Sequence, residues 1–162
     1  MIVKNLKEFP RSKSEARIIE LFESITDHKF PTVLPSWLTS MRGTRLELDG
    51  YCEELALAVE FSGPQHTKWY SSREPYEEYF KRVSRDEYKK RKCAEHGVRL
   101  VVIDMTISAL HSGHRYNYVL SRLYDAGIVE ERPILYIDEQ VAEPYRNPEL
   151  EKELGLVMGE IY

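Results

Sequence analysis

A chain of 162 residues, 42% hydrophobic and 31% charged, has the size of one domain and can bury a substantial core. No twenty-residue apolar run occurs and residues 1–10 lack an apolar core segment, so we expect neither a membrane span nor a secretory leader, and a cytoplasmic protein, or one acting in the host-cell interior if a virus or phage encodes it. The net charge of −4 is unevenly spread: residues 129–162 hold nine acids against three bases, which leaves the first 128 residues at +2, so nucleic-acid binders are not excluded.

Ser12 followed by Glu15 has the spacing of a capping box, in which Ser12 caps a helix and Glu15 closes back on it. Ile18, Ile19, Phe22 and Ile25 give that helix an apolar stripe to about residue 25. Residues 27–40, with Pro31 and Pro35, read as an irregular connection or a short edge strand.

Residues 44–51 alternate Leu46 and Leu48 with Glu47 and Asp49, the period of a half-buried strand, and residues 50–54 supply turn chemistry. In 55–61, Leu57, Val59 and Phe61 take one face while Ala56, Ala58 and Glu60 take the other. A carboxylate at the end of a buried strand must be protonated, paired or coordinated to a cation. Asp49 stands eleven residues before Glu60, a separation at which an antiparallel pair brings two carboxylates together. Converging acids without an obvious Arg suggest a divalent metal with oxygen ligands at about 2.0–2.1 Å for magnesium. The same spacing also describes a hairpin whose acids both reach solvent.

An aromatic segment with Trp69, Tyr70, Tyr76, Tyr79 and Phe80 precedes a helix expected over 83–96. Asp86, Lys89, Lys90 and Cys93 share one face of it, by i, i+3, i+4 and i+7 spacing. Residues 98–103 form an apolar strand, so strand, helix and strand suit a parallel crossover. A helix over 114–126, a strand over 134–137 and a peripheral tail with a short helix near 148–154 complete the expectation. His111 and His114 lack an acidic or thiolate companion and read as surface residues. Cys52 and Cys93 fit a reducing compartment and no zinc motif.

Glu15, then Leu46-Glu-Leu-Asp49-Gly, then Glu60-Phe-Ser-Gly-Pro-Gln65-His66, then Arg85-Asp86-x-x-Lys89-Lys90-x-x-Cys93 together resemble the PD-(D/E)XK nuclease superfamily. The likeness covers about residues 12–104 and is closest to the branch related to very-short-patch-repair endonucleases. It implies an α/β fold with a restriction-endonuclease-like αβββαβ core, a mixed central sheet flanked by helices. Residues 1–128 would form this nuclease-like core, and 129–162 an acidic C-terminal extension packed on or trailing from the same domain.

The resemblance implies a magnesium-dependent (or manganese-dependent) DNA endonuclease in which the first helix supplies Glu15 and Asp49 and Glu60 hold the metal. The family's lysine position, two residues after the glutamate, is Ser62 here, so the charge would come from Lys89, Lys90 or His66. Gln65 and His66 match residues of the related branch; the plainer role of His66 is to pair with Asp86. Lys81, Arg82, Arg85, Arg91 and Lys92 would contact DNA phosphates, with Trp69 and Tyr70 as stacking groups. Their plain alternatives are a solvated helix face and core aromatics. DNA is the expected partner, no membrane is expected, and a homodimer is compatible with the chemistry. The other readings are a catalytically inactive nucleic-acid-binding module and a structure-selective nuclease acting on junctions or RNA.

Overall fold

The structure is a computed structural model and describes residues 1–5, 10–69, 74–134 and 141–161. Strand β1 (Ile2–Val3) leads to helix α1 (Lys13–Thr26), which the Ser12–Glu15 capping box opens from both sides. Strand β2 (Val33–Leu34) pairs with β1 and, through an isolated bridge, Val33 pairs with Leu48. Strands β3 (Gly50–Cys52) and β4 (Leu57–Ser62) are antiparallel, and β4 pairs in parallel with β5 (Arg99–Asp104). Helix α2 (Tyr76–Glu95) forms the crossover; α3 (Arg115–Asp125) and α4 (Pro148–Leu154) follow. The fold is therefore mixed α/β, with a mixed three-stranded sheet in the order β3-β4-β5 and helices on its faces.

The alternation along β4 decides the layering. Leu57 and Val59 join Val101, Ile103 and Cys52 against α1 and α3, where Ile18, Phe22, Tyr118 and Leu123 are fully buried. Ala58 and Tyr51 face the other way, with Cys93 of α2 and Leu48. Glu60 and Ser62 continue this second face, so strand periodicity points them toward α2.

Three expectations need correction. The expected 44–51 strand is reduced to bridges at Arg45 and Leu48 before β3, and the turn lies at residues 53–56 rather than 50–54. Gly50 is a strand residue opposite Val59; a Cβ there would stand 3.0 Å from the Ile19 side chain, so its smallness lets α1 approach. Helix α2 begins at Tyr76, earlier than 83, because Tyr76, Tyr79, Phe80 and Val83 form a buried i, i+3, i+4, i+7 stripe. Of the expected 134–137 strand, residues 135–137 lie outside the described residues.

That aromatic stripe explains the C-terminal segment. Leu156 packs on Tyr76, Tyr79, Phe80 and Val83, with Leu150, Met158 and Trp69 around them. Glu151, only 7% exposed in its side chain, accepts two hydrogen bonds from Arg146 and one, at 2.6 Å, from the Tyr76 hydroxyl. Burial, reinforced by Glu151, pushes the Tyr76 phenol up to about 12. The Ser84 hydroxyl donates to the Glu160 carbonyl and accepts the Gly159 amide. Glu151→Ala should lower unfolding free energy by about 2 kcal/mol, since hydrogen bonds to a buried charge are lost, as a urea midpoint shift would show. Among the described residues no helix is long and apolar enough to cross a membrane.

Candidate functional site

Glu60 sits near the end of β4 with its side chain 16% exposed, and Lys89, 14% exposed, donates to its Oε1 at 3.3 Å. The Asp49 carboxyl is close enough to Glu60 to raise its pKa. Extending the β3–β4 register by one step sets Asp49 opposite Glu60. The backbone ladder stops there, and Asp49 Oδ2 accepts the Phe61 amide at 3.0 Å in its place. Burial drives the Glu60 carboxyl well above its usual range; Asp49 adds to the rise and Lys89 opposes it.

Further contacts line up along the face of α2 that carries Lys89. Asp86 Oδ2 lies 2.6 Å from His66 Nδ1, and Arg82 donates to the Gln65 carbonyl at 3.1 and 3.3 Å. Cys93 is fully buried beyond Lys89, its thiol pushed up to about 12 by burial and then by Glu60. Arg82, Asp86, Lys89 and Cys93 thus face Gln65, His66, Glu60 and the Ala58 cluster in turn. A carboxylate only accepts, so in a neutral imidazole paired with Asp86 the proton sits on Nδ1 and Nε2 is the nitrogen with the lone pair.

A cavity of about 230 Å³ is lined by Glu60, Ser62, His66, Asp86, Lys89 and Lys90, among others, and by residues 141–144 of the C-terminal segment. That segment is held by the Tyr145 amide on the Thr67 carbonyl at 3.0 Å and by the Tyr79 hydroxyl on the Tyr145 carbonyl at 2.9 Å.

Other residues singled out from sequence lie differently. Lys90 lines the cavity, but its ammonium is exposed and 3.4 Å from Glu87, not turned to Glu60. The Gln65 side chain is exposed and folds back over Gly63. Glu15 Oε1 is taken by the Ser12 amide at 3.0 Å, and no hydrogen bond joins Glu15 to Asp49 or Glu60. Trp69 donates to the Glu74 carbonyl and stacks on Tyr145, at the margin of the aromatic cluster that opens α2. Tyr70 lies outside the described residues.

The basic run of α2 does not make one positive surface. Lys81 pairs with Glu77 and Glu78, Arg82 with Glu74, and Arg91 and Lys92 with Glu95. Of this run only Arg85, exposed, makes no side-chain hydrogen bond or ion pair among the described residues.

Sequence reasoning missed Arg11. Its Nη2 donates to the carbonyls of Phe30 and Asp49, both at 2.8 Å, and to Thr32 Oγ1 at 3.2 Å. Thr32 Oγ1 also donates to the Asp49 carbonyl, so the backbone that carries Asp49 is held by two side chains. Burial lowers the Arg11 pKa against the pull of Glu23, Asp49, Glu15 and Glu47. Nothing in the local pattern before Ser12 marks this role, because its acceptors are nineteen to thirty-eight residues away.

Among the described residues no group of three or more His, Cys, Asp and Glu is arranged to hold a metal ion. Asp49 and Glu60 alone supply adjacent hard oxygens, a donor set that fits magnesium, which keeps several waters and takes one or two carboxylates.

No family model matches the chain, and no solved structure does. Curated viral proteins do resemble it. The uncharacterized protein 033L of Invertebrate iridescent virus 3 is 28% identical over 127 residues, which cover 73% of this chain and 60% of that protein. The uncharacterized protein 094L of Frog virus 3 (isolate Goorha) is 29% identical over 99 residues, covering 59% of this chain and 64% of that protein. The matches thus span 60 to 64% of the length of these relatives.

Proposed function

We propose that the chain is a magnesium- or manganese-dependent DNA endonuclease with a restriction-endonuclease-like core, akin to very-short-patch-repair endonucleases. The observation that carries this reading is the convergence of Asp49, Glu60 and Lys89 beside the His66–Asp86 pair. The order α1-β2-β3-β4-α2-β5 supports it, since it reads αβββαβ. The viral origin of both relatives supports action inside a host cell.

Asp49 and Glu60 would hold the metal, which when bound lowers the pKa of water and offsets charge on the phosphate. The chain supplies the rest. Lys89, fixed on Glu60, places a positive charge where negative charge grows on the phosphoryl oxygens, so the charge absent at Ser62 comes from α2. His66 Nε2 takes the proton of the attacking water or returns one to the leaving oxygen, and Asp86 stabilises the imidazolium. Arg11 and Thr32 keep the Asp49 backbone from moving as ligands exchange.

The test is incubation of supercoiled plasmid and of labelled duplex, nicked, branched and RNA substrates with magnesium, manganese or chelator. Metal-dependent cleavage that Asp49→Asn and Glu60→Gln each reduce at least about a hundredfold is the expected result. Binding of DNA without cleavage of any substrate would leave the inactive binding module as the better reading.

A further inference from the structure

Beside the cavity at Glu60 lies a second, more open one of about 530 Å³, between the C-terminal halves of α2 and α3 and over the edge of β5. The two share Lys90, Leu100 and Arg122 in their linings, so they adjoin. Three cations, Lys90, Arg99 and Arg122, line the second against one acid, Asp125. On the outer side of α2, Lys81, Arg91 and Lys92 are all paired with glutamates; in the groove Lys90 pairs with Glu87 and Arg122 reaches Asp125, while the Arg99 side chain pairs with neither.

The two guanidinium groups of the groove have donors to spare. Arg99 is exposed and its side chain makes no hydrogen bond or ion pair among the described residues; its guanidinium lies across Gly127, whose positive φ of 75° and missing side chain leave it room. Arg122 Nε is buried without a hydrogen-bond partner, and its Nη1 reaches Asp125 only at 3.5 Å. The carbonyls that end both helices are already answered: the His96 and Val98 amides take those of α2, and the Ala126, Gly127 and Ile128 amides those of α3. The cations are therefore not needed to cap the helices. The floor beneath them is the outer edge of β5, which pairs only with β4 among the described residues.

We propose that this groove binds the sugar-phosphate backbone of a nucleic-acid strand leaving the Glu60 cavity, through Arg99, Arg122 and Lys90. The identification of nucleic acid rests on the nuclease reading of the adjoining cavity; the anionic chemistry of the occupant rests on the groove itself. Guanidinium groups match phosphate with two parallel donors, and a strand spanning both cavities would meet Lys90 and Arg122 at the junction.

The experiment measures anisotropy of fluorescein-labelled single-stranded and duplex oligonucleotides in chelator, so that no cleavage intervenes, across a potassium chloride series. Relative to wild type, Arg99→Gln with Arg122→Gln should flatten the plot of log affinity against log salt by about 0.7 for each phosphate no longer neutralised on the single strand. Arg91→Gln with Lys92→Gln should keep the wild-type slope. Equal slopes in all three proteins, or the same flattening in both double variants, would overturn the groove. Equal competition by polyglutamate of matched charge would also overturn it, in favour of an acidic protein segment. If circular dichroism shows that the double variant does not fold, Arg99→Gln alone carries the same comparison, with one phosphate fewer neutralised. A wild type that cuts nothing in magnesium or manganese while these slopes differ sinks the nuclease and leaves the groove. A wild type that cuts while the slopes coincide does the reverse.

Discussion

Turnover in Lys89→Met should fall on the order of a hundredfold or more under saturating metal and DNA, with DNA affinity changed far less. The Lys89 side chain is 14% exposed and its hydrogen bond to Glu60 is made at the cavity, so it is preorganised rather than recruited by substrate. A charge held in place before the reaction acts on the transition state without reorganisation, which is why its loss appears in kcat rather than in binding. Lys90→Met is the matched control on the same helix turn. Its ammonium is exposed and turned to Glu87, so it should affect salt-dependent binding through the adjoining groove and leave kcat within a few-fold. Single-turnover rates at two metal concentrations separate these outcomes. If Lys89→Met cuts at the wild-type rate while His66→Ala is inactive, the histidine supplies the charge and the helix lysine is only the counter-ion of a buried acid.

What the sequence disclosed about this site depended on how local the signal was. The alternation of Ala58 and Glu60 against Leu57 and Val59 read correctly because β4 is buried on both faces and its period is set by the strand itself. The spacing of Asp86, Lys89 and Cys93 likewise follows from helix geometry, and the three meet His66, Glu60 and the Ala58 cluster in turn. Lys90 shows the limit of that argument, since a residue one step off the stripe at the same helical offset can pair outward instead. The aromatic stripe that begins α2 was present in the sequence as i, i+3, i+4 and i+7, yet its partner, the segment around Leu156, lies about seventy residues on and left no local mark. Trp69 was drawn into that cluster for the same reason. Gly50 looked like a turn residue because glycine usually is one; only the approach of Ile19 shows that it serves packing. Arg11 and Arg122 were invisible because both act through tertiary neighbours.

Metal binding should release a proton from Glu60, and the protein's stability without metal should fall as pH rises. Burial holds the Glu60 carboxyl well above its ordinary range, with the Asp49 charge as a second contribution and Lys89 opposing both. Between the pKa of an unfolded glutamate and this raised value, the folded chain keeps a proton that the unfolded chain has lost. Stability therefore decreases with increasing pH across that window, the opposite of a salt-bridged carboxylate whose pKa is depressed. A divalent cation held by Asp49 and Glu60 would reverse the preference, since it would favour the ionised pair over the protonated one. Titration calorimetry with magnesium or manganese in two buffers of different ionisation enthalpy should show proton release on binding, and affinity should rise with pH through the same window. Thermal melts should show the metal stabilising the protein most at the upper end of it. Asp49→Asn removes one ligand and one source of the shift, so it should weaken binding at every pH and make the metal-free melting temperature less dependent on pH. Glu60→Gln leaves no acid to titrate, and both the proton release and the pH slope should vanish in it. Metal binding to Glu60→Gln with wild-type affinity and proton release would place the cation elsewhere and remove Glu60 from the site.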